Sequence, residues 1–162
     1  FFLPGFSKEI HYEAEIVIKI SRLGKNIQKK YAHRYYTSIG VGIDFTARDL
    51  QDECKKNGHP WEIAKAFDQS AAVNKFIGID TLPNRDAVNF QLDINNKTVQ
   101  KGNTRDLIFT IDEIITYLST YITQKTGDLI FTGTPAGVGP VKAGDHLTAS
   151  LEGQVLLDFN IR

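Results

Sequence analysis

The sequence has little of several features that mark particular classes of protein. Cys54 is its only cysteine, so no internal disulfide can form, which fits a reducing compartment. One cysteine and four scattered histidines also show no zinc-ligand spacing. No apolar run approaches the roughly 18 residues that a membrane span needs, and the start lacks the basic and apolar stretches of a signal peptide. We therefore expect a cytoplasmic protein without a membrane span.

The charges of the sequence balance. Lysine plus arginine and aspartate plus glutamate number 19 each, so the formal net charge is zero. No broad basic surface is indicated, which argues against a nucleic-acid partner. With 162 residues the chain is long enough for a sizeable core, and we expect a single domain over residues 1–162.

A pair of acidic residues lies in the first alternating segment, residues 11–20. Tyr12, Ala14 and the isoleucines that follow have the period of a buried strand face, so Glu13 and Glu15 share the opposite face. Side chains two apart on a strand start about 6.6 Å apart, so these two can converge on one cation. The alternative is a solvated polar face of an antiparallel strand.

A second alternating segment, residues 39–44, places Gly40, Gly42 and Asp44 on one face. Glycine is poor in strands unless something approaches the backbone closely, so this face is either a hollow that ends in an acid or a bulge or packing contact. With Glu13 and Glu15, Asp44 would complete an all-oxygen triad that suits Mg²⁺ or Mn²⁺.

Local signals predict further elements. We expect a short helix in residues 26–34, and a helix opened by a Thr46–Asp49 capping box and stopped at Asn57-Gly58. Hairpins are predicted around residues 95–97 and 152–154. A second helix should begin at Thr110, capped with Glu113, with an apolar stripe formed by Ile111, Ile114, Ile115, Leu118 and Ile122.

Residues 129–132 are predicted to form a buried strand that runs into the glycine-rich segment 133–140. This segment lacks the Gly-Lys-Ser/Thr ending of a P-loop and does not complete Gly-x-Gly-x-x-Gly. We interpret it as a sharp turn in which backbone N–H groups, from Gly133 onward, and the Thr134 hydroxyl can hold an anion. An ordinary tight turn is the alternative.

Five segments in this order resemble the fumarylacetoacetate hydrolase family and together cover nearly the whole chain. They are His11–Glu15, Gly42–Glu53, Trp61–Asp68, Gln100–Thr104 and Gly127–Pro140. The Thr-Ala-Arg-Asp-x-Gln-Asp-Glu helix and the following Pro-Trp most resemble the acylpyruvase and oxaloacetate decarboxylase branch. The resemblance implies a strand-rich α+β fold, a mixed β-sandwich or β-roll with a few short helices, and a homodimer.

The resemblance also implies a Mg²⁺ or Mn²⁺ ion held by Glu13, Glu15 and Asp44, which chelates the 2-oxo acid part of a small substrate. Lys65 matches the family lysine near the metal and would be catalytic by stabilising a developing oxyanion; its alternative is a surface lysine. Gln51 and Thr134 match positions of the family that contact the substrate. Gly133, beside Thr134 in the glycine-rich loop, would bind the substrate as well. Arg48 would orient its neighbours at the substrate site.

One departure concerns the start of the sequence. Members of the family usually carry, before this core, a lid helix with a histidine and a glutamate that activate the attacking water. The sequence opens with Phe1-Phe2-Leu3-Pro4-Gly5, and the step from Leu3 to Pro4 is abrupt. We expect a partial view of a longer protein rather than a protein without the lid, and we expect His11 to be structural.

These features predict a metal-dependent enzyme that cleaves C–C bonds in small 2-oxo or 1,3-dicarbonyl acids through a metal-stabilised enolate. The reaction would be acylpyruvate hydrolysis or oxaloacetate decarboxylation. An isomerase or tautomerase acting on a 2-hydroxy-dienedioate or oxaloacetate at the same site is one alternative. A non-catalytic, metal-stabilised ligand-binding dimer is another.

Overall fold

The computed structural model describes residues 1–162 as twelve β-strands and four short α-helices. The strands are β1 (Ile10–Tyr12), β2 (Ala14–Ile20), β3 (Tyr36–Asp44), β4 (Thr46–Ala47), β5 (Ala71–Ala72), β6 (Ile77–Gly78), β7 (Asn89–Ile94), β8 (Lys97–Asn103), β9 (Leu129–Phe131), β10 (Gly139–Pro140), β11 (His146–Leu151) and β12 (Gln154–Asn160). The helices are α1 (Lys29–Ala32), α2 (Arg48–Asn57), α3 (Glu62–Lys65) and α4 (Ile111–Tyr121), and 3-10 turns cover Ile79–Thr81 and Thr104–Asp106.

The strands form three sheets in which every pairing is antiparallel. One sheet has the order β5-β3-β2-β9, with β6 also pairing to β3, and a second has the order β12-β11-β7-β8. The third is small, with the order β10-β1-β4. The strand-rich α+β class predicted from the sequence is therefore confirmed.

A single hydrophobic cluster of 26 buried residues joins the sheets. β3 packs against β11 and β12, so the inward faces of the two larger sheets share this core. Ile16 and Ile39 represent the first sheet in the cluster, and Leu92 and Leu147 represent the second. The longest helix, α4, has 11 residues, and none of the helices combines the length and apolar character needed to cross a membrane.

The first predicted strand is divided at Glu13. β1 pairs with β4 and β10, whereas β2 pairs with β3 and β9, so the chain changes sheets between Tyr12 and Ala14. The face predicted to be apolar is buried. The opposite face is buried as well at this end, because Glu13 and Glu15 are 9% and 5% exposed and Val17 is fully buried. The solvated-face alternative is therefore wrong for both glutamates.

The glycines of β3 are explained by packing. A Cβ on Gly42 would lie 2.8 Å from Val17 Cγ2 and 2.9 Å from both Phe131 Cε1 and Val73 Cγ1. A Cβ on Gly40 would lie 3.1 Å from the Phe76 ring. The packing alternative therefore holds for the two glycines, while Asp44 ends the strand beside the glutamates.

Two expectations about helices were wrong in detail. Thr46 does not cap α2: the N-cap is Ala47, without a side-chain bond, and the Thr46 hydroxyl accepts a hydrogen bond from Lys65 instead. Ile122 is 62% exposed because α4 ends at Tyr121 and the chain becomes extended there. The short helix expected in residues 26–34 is present as the four-residue α1. The strand expected to be buried at residues 129–132 is present as β9, but its Leu129 is 38% exposed.

Other local signals gave the correct structure. Gly58 ends α2 in the left-handed conformation, and Thr110 forms a complete capping box with Glu113. The two hairpins turn through Asn95-Asn96 and Glu152-Gly153, and all four residues have positive φ. This is the backbone that two-residue hairpin turns require, and it favours asparagine and glycine.

Candidate active site

Strand pairing gathers Glu13, Glu15 and Asp44 at one end of β2 and β3. Glu15 is directly opposite Gly42, and the Asp44 N–H donates to the Glu13 carbonyl over 2.9 Å. One carboxylate oxygen from each residue can be chosen so that all three lie within 4.8 Å of one another. The structure thus brings together the three acids predicted from two separate segments.

Lys65, at the end of α3, connects two of these acids. Its ammonium donates to Glu13 Oε2 at 2.9 Å, Asp44 Oδ2 at 2.7 Å and Thr46 Oγ1 at 2.6 Å. An ammonium has three N–H donors, so all of them are used. The alternative that Lys65 is an ordinary surface lysine is therefore wrong.

Arg48 and Gln51 lie on the first turn of α2, facing the same cluster. Arg48 forms an ion pair with Glu13 Oε1 and donates to Gln51 Oε1 at 2.5 Å. Lys55 Nζ, one turn further along, donates to the same Gln51 oxygen at 3.1 Å. Arg48 therefore fixes the orientation of Glu13, and the 3%-exposed Gln51 reaches the acids through Arg48.

Burial and charge act differently on the three acids. Burial raises the pKa of Glu15 to about 7, and the negative charges of Asp44 and Glu13 contribute to this increase. The hydrogen bond from the Gly133 N–H lowers the pKa but does not outweigh them. Burial also raises the pKa of Asp44 despite the bond from Lys65. For Glu13 the burial effect is outweighed by hydrogen bonds from Lys65 and Arg48, which lower its pKa.

Lys65 and Arg48 do not fully neutralise the cluster. Burial by itself would lower the pKa of Lys65, but the bonds to Asp44 and Glu13 outweigh it and raise the pKa, so the side chain is an ammonium at neutral pH. With all groups ionised, three carboxylates face two cations and one negative charge is left over. Such a site attracts a further cation.

The glycine-rich loop is bonded to β2 beside the acids. The Gly133 N–H donates to Glu15 Oε2 at 2.7 Å, and the Thr134 hydroxyl donates to the Ala14 carbonyl at 2.9 Å. These donors, predicted to face substrate, are thus used within the protein, whereas the Thr134 N–H donates to no protein atom. The loop is a built part of the site rather than an isolated tight turn.

Sequence reasoning from the residues missed two members of the site. The sequence around Thr46 predicts a helix cap, and no signal in its neighbourhood indicates a contact with Lys65. Gln100 is 2% exposed, accepts from the Ala14 N–H and donates to Thr134 Oγ1. Its position in a segment shared with the family was the one available signal.

Comparison with known proteins covers all of these site residues. The family model described as fumarylacetoacetate (FAA) hydrolase C-terminal matches residues 2–162. The chain belongs to the fumarylacetoacetate hydrolase family.

Relatives within the fumarylacetoacetate hydrolase family have more than one activity in their names. The mitochondrial oxaloacetate tautomerase of Mus musculus is 38% identical over 160 residues, covering 99% of this chain and 72% of that protein. An oxaloacetate tautomerase of Escherichia coli is 36% identical over 155 residues, covering 95% and 71%. A fumarylpyruvate hydrolase of Pseudomonas aeruginosa, in complex with Mn²⁺ and pyruvate, superposes with a TM-score of 0.92 at 32% identity, covering 99% and 69%.

The acids of this family member fit a hard divalent cation on chemical grounds. All three donors are carboxylate oxygens, and two of the three residues are buried. Ions such as Mg²⁺ and Mn²⁺ prefer oxygen ligands, while zinc sites favour nitrogen and sulfur. The negative charge left over when all groups are ionised attracts a divalent cation, while the oxygen donors decide which kind.

A cavity of about 310 Å³ adjoins the loop and is lined in part by residues 132–135. None of the three acids lines it, but its wall includes Gly133, whose N–H donates to Glu15. Apolar residues form much of its wall: Phe90, Leu107, Ile108, Phe109 and Ile114. Gly133 therefore contacts both the acid cluster, through its bond to Glu15, and a cavity with a partly apolar wall.

Proposed function

We propose that this protein is a divalent-metal-dependent enzyme that enolises small 2-oxo acids, with tautomerisation of oxaloacetate as its leading reaction. One observation carries the proposal: the cluster of Glu13, Glu15 and Asp44 with the Lys65 ammonium bonded to two of them. The names of the mouse and E. coli relatives support the choice of reaction.

Enolisation removes a proton from the carbon beside the keto group to a base and returns a proton to the keto oxygen, so negative charge develops on that oxygen in between. A Mg²⁺ or Mn²⁺ ion held by the three acids would act as a Lewis acid toward the 2-oxo acid. Lys65 is proposed as the catalytic cation, because a metal on Glu13 and Asp44 would compete for the oxygens that its N–H groups now bond. An N–H released in this way can stabilise a developing oxyanion. Its raised pKa makes it a poor general base at neutral pH, so its contribution is electrostatic.

Other residues are proposed to orient the substrate. The Thr134 N–H follows the Gly133 N–H that bonds Glu15 and donates to no protein atom, and we propose that it binds a substrate carboxylate. Gly133 and Arg48 are proposed to act indirectly, because Gly133 holds Glu15 and Arg48 holds Glu13 in position. Gln51 is proposed to reach the substrate with its amide nitrogen, since its oxygen accepts from Arg48 and Lys55.

The experiment is turnover of oxaloacetate, followed as keto–enol exchange by absorbance, with added Mg²⁺, with Mn²⁺ and with a chelator. We expect metal-dependent turnover, with Asp44→Ala losing both metal binding by calorimetry and activity while its circular dichroism is retained. Asp93→Asn, a change on β7 away from the cluster, is the matched control. Full metal affinity in Asp44→Ala would overturn the assignment of the ligands.

C–C bond cleavage is the second candidate, as acylpyruvate hydrolysis or oxaloacetate decarboxylation. It is supported by the likeness to the Pseudomonas fumarylpyruvate hydrolase. Release of pyruvate from acetylpyruvate or oxaloacetate, faster than exchange of the keto and enol forms, would favour this reaction. Metal and oxalate binding without turnover of any 2-oxo acid would instead indicate a ligand-binding protein.

We infer further that residues 1–162 act as one catalytic domain in a homodimer located in the cytoplasm. The shared core supports the first part, since its members run from Ile10 to Ile161. The homodimer is supported by Ile108 and Phe109, two neighbouring apolar residues that are 91% and 63% exposed. Light scattering of the wild type and of Ile108→Asp tests the dimer. For the location, the single free cysteine, Cys54, fits a reducing compartment such as the cytoplasm. The mouse relative is named mitochondrial, and fractionation of cells that express this protein distinguishes the two locations.

A further inference from the structure

Gln100 of β8 links the acid-bearing strand to the glycine-rich loop. Its Oε1 accepts from the Ala14 N–H at 2.9 Å, and Ala14 lies between Glu13 and Glu15. Its Nε2 donates to Thr134 Oγ1 at 2.9 Å and to the Pro135 carbonyl at 3.0 Å. Every hydrogen-bonding atom of a buried side chain is therefore directed at the site or its loop.

These bonds close a ring. Ala14 donates to Gln100, Gln100 donates to the Thr134 hydroxyl, and that hydroxyl donates to the Ala14 carbonyl at 2.9 Å. Each member must both donate and accept, which an amide does and a carboxylate does not. The ring therefore specifies glutamine by its chemistry rather than by its size.

The same loop is held at two neighbouring points. The Thr132 N–H donates to the Ile16 carbonyl at 3.2 Å, and the Gly133 N–H donates to Glu15 at 2.7 Å. A Cβ on Gly137 would lie 2.7 Å from the Val99 carbonyl, so the far end of the loop also lies close against β8. Gln100 thus anchors the loop between its attachments to β2 and to β8.

We propose that Gln100 is a positioning residue for the 2-oxo acid site: it holds the loop so that the Thr134 N–H faces the substrate beside the three acids. This inference rests on the proposed function. Gln100 lies behind Thr134 and Ala14, so it acts through them and touches neither the acids nor the substrate.

The test variant is Gln100→Glu, which keeps the size and removes the amide donor. Its second oxygen would face the Pro135 carbonyl, and the Thr134 hydroxyl would have to turn away from Ala14. The matched control is Gln124→Glu. Gln124 is also buried, at 4% exposed, and its Nε2 also donates to a backbone carbonyl, that of Ile115, away from the site.

The first measurement uses hydrogen exchange in the metal-free protein, so it does not depend on the enzyme's activity. Gln100→Glu should speed exchange at the Thr132 and Gly133 amides by about tenfold, since the loop loses its anchor. Amides of β11 and the same loop amides in Gln124→Glu should keep wild-type rates. Wild-type exchange of the loop in Gln100→Glu overturns the proposal.

The second measurement separates positioning from general stability. For Gln100→Glu we expect KM for oxaloacetate to rise about tenfold, with kcat and the Mg²⁺ affinity within about threefold of wild type. Gln124→Glu should retain the wild-type KM even if its melting temperature falls. An unchanged KM in Gln100→Glu contradicts the inference. Absence of turnover in the wild type would instead contradict the proposed function, with the exchange result still deciding the anchoring.

Discussion

Lys65 is the residue whose removal would separate catalysis from metal binding. Lys65→Ala leaves Glu13, Glu15 and Asp44 in place and removes a positive charge that competes for two of them. We expect Mg²⁺ to bind at least as tightly by calorimetry. Turnover should fall by about 100-fold or more, as when one donor to a developing oxyanion is lost.

The control for this change is Lys19→Ala, which removes an exposed lysine from β2 itself. Wild-type turnover in Lys65→Ala would show that the ammonium only balances charge in the metal-free site. Loss of Mg²⁺ binding would show that Lys65 holds the acids in position.

At the scale of single elements, Gly42 decides how closely β2, β3 and β9 pack behind the acids. Gly42→Ala would place a methyl group within 3 Å of Val17, Phe131 and Val73. Overpacking of this kind costs about 1–3 kcal/mol, and we expect chemical denaturation to show a loss in that range.

Gly78→Ala is the matched glycine control, because its Cβ would have one neighbour, Thr81 Cγ2, at an ordinary 3.7 Å, and its φ is −67°. Equal stability of the two variants would mean that β3 moves to accept the methyl group. In that case the glycine reflects some cause other than packing.

The cap of α4 gives a prediction of pH dependence. Hydrogen bonds from Lys29 and from the Thr110 backbone and hydroxyl lower the pKa of Glu113 from 4.5 to about 2. A depressed folded-state pKa means that this contribution to stability is complete above pH 4.5 and is lost as the pH falls toward 2. Glu113→Gln should therefore be less stable than wild type at pH 6, and this difference should shrink at pH values approaching about 2.

Glu53→Gln provides the comparison, as a change of an exposed glutamate on α2 that makes no side-chain bond. Urea denaturation at several pH values measures both. A difference between Glu113→Gln and wild type that stays constant with pH would contradict the assignment of the effect to ionisation of Glu113.

Elements were predictable where the signal is local. The turns at Asn95-Asn96 and Glu152-Gly153 and the cap at Thr110 depend on residues within a few positions of one another, so the sequence contains their cause. The cap predicted at Thr46 failed because a distant residue, Lys65, and the pairing of β4 take that threonine. Tertiary contacts override local propensity in this way whenever both compete for one side chain.

At the scale of the whole molecule, the sequence identifies the three acids as candidate metal ligands, but it does not show that they lie close together. Alternation places Glu13 and Glu15 on one face, whereas the distance to Asp44 depends on the register of β2 with β3. The role of Gln100 is harder to predict, because its hydrogen-bond partner Ala14 lies 86 residues away in the sequence. Resemblance to the family supplied what periodicity alone could not, namely which distant segments share one site.

The metal should stabilise the whole fold, since the acids come from two strands and are tied to α2, α3 and the loop. A ligand at 100 times its Kd that binds only the folded state adds about 2.7 kcal/mol, or roughly 5–10 °C in Tm for a chain of this size. We expect Mg²⁺ to produce such a shift in calorimetry of the wild type, and a chelator to reverse it. Asp44→Asn, which keeps the shape and removes one charge, should show little response. A shift of equal size in Asp44→Asn would place the ion away from Glu13, Glu15 and Asp44, and would contradict the metal centre on which the proposed chemistry depends.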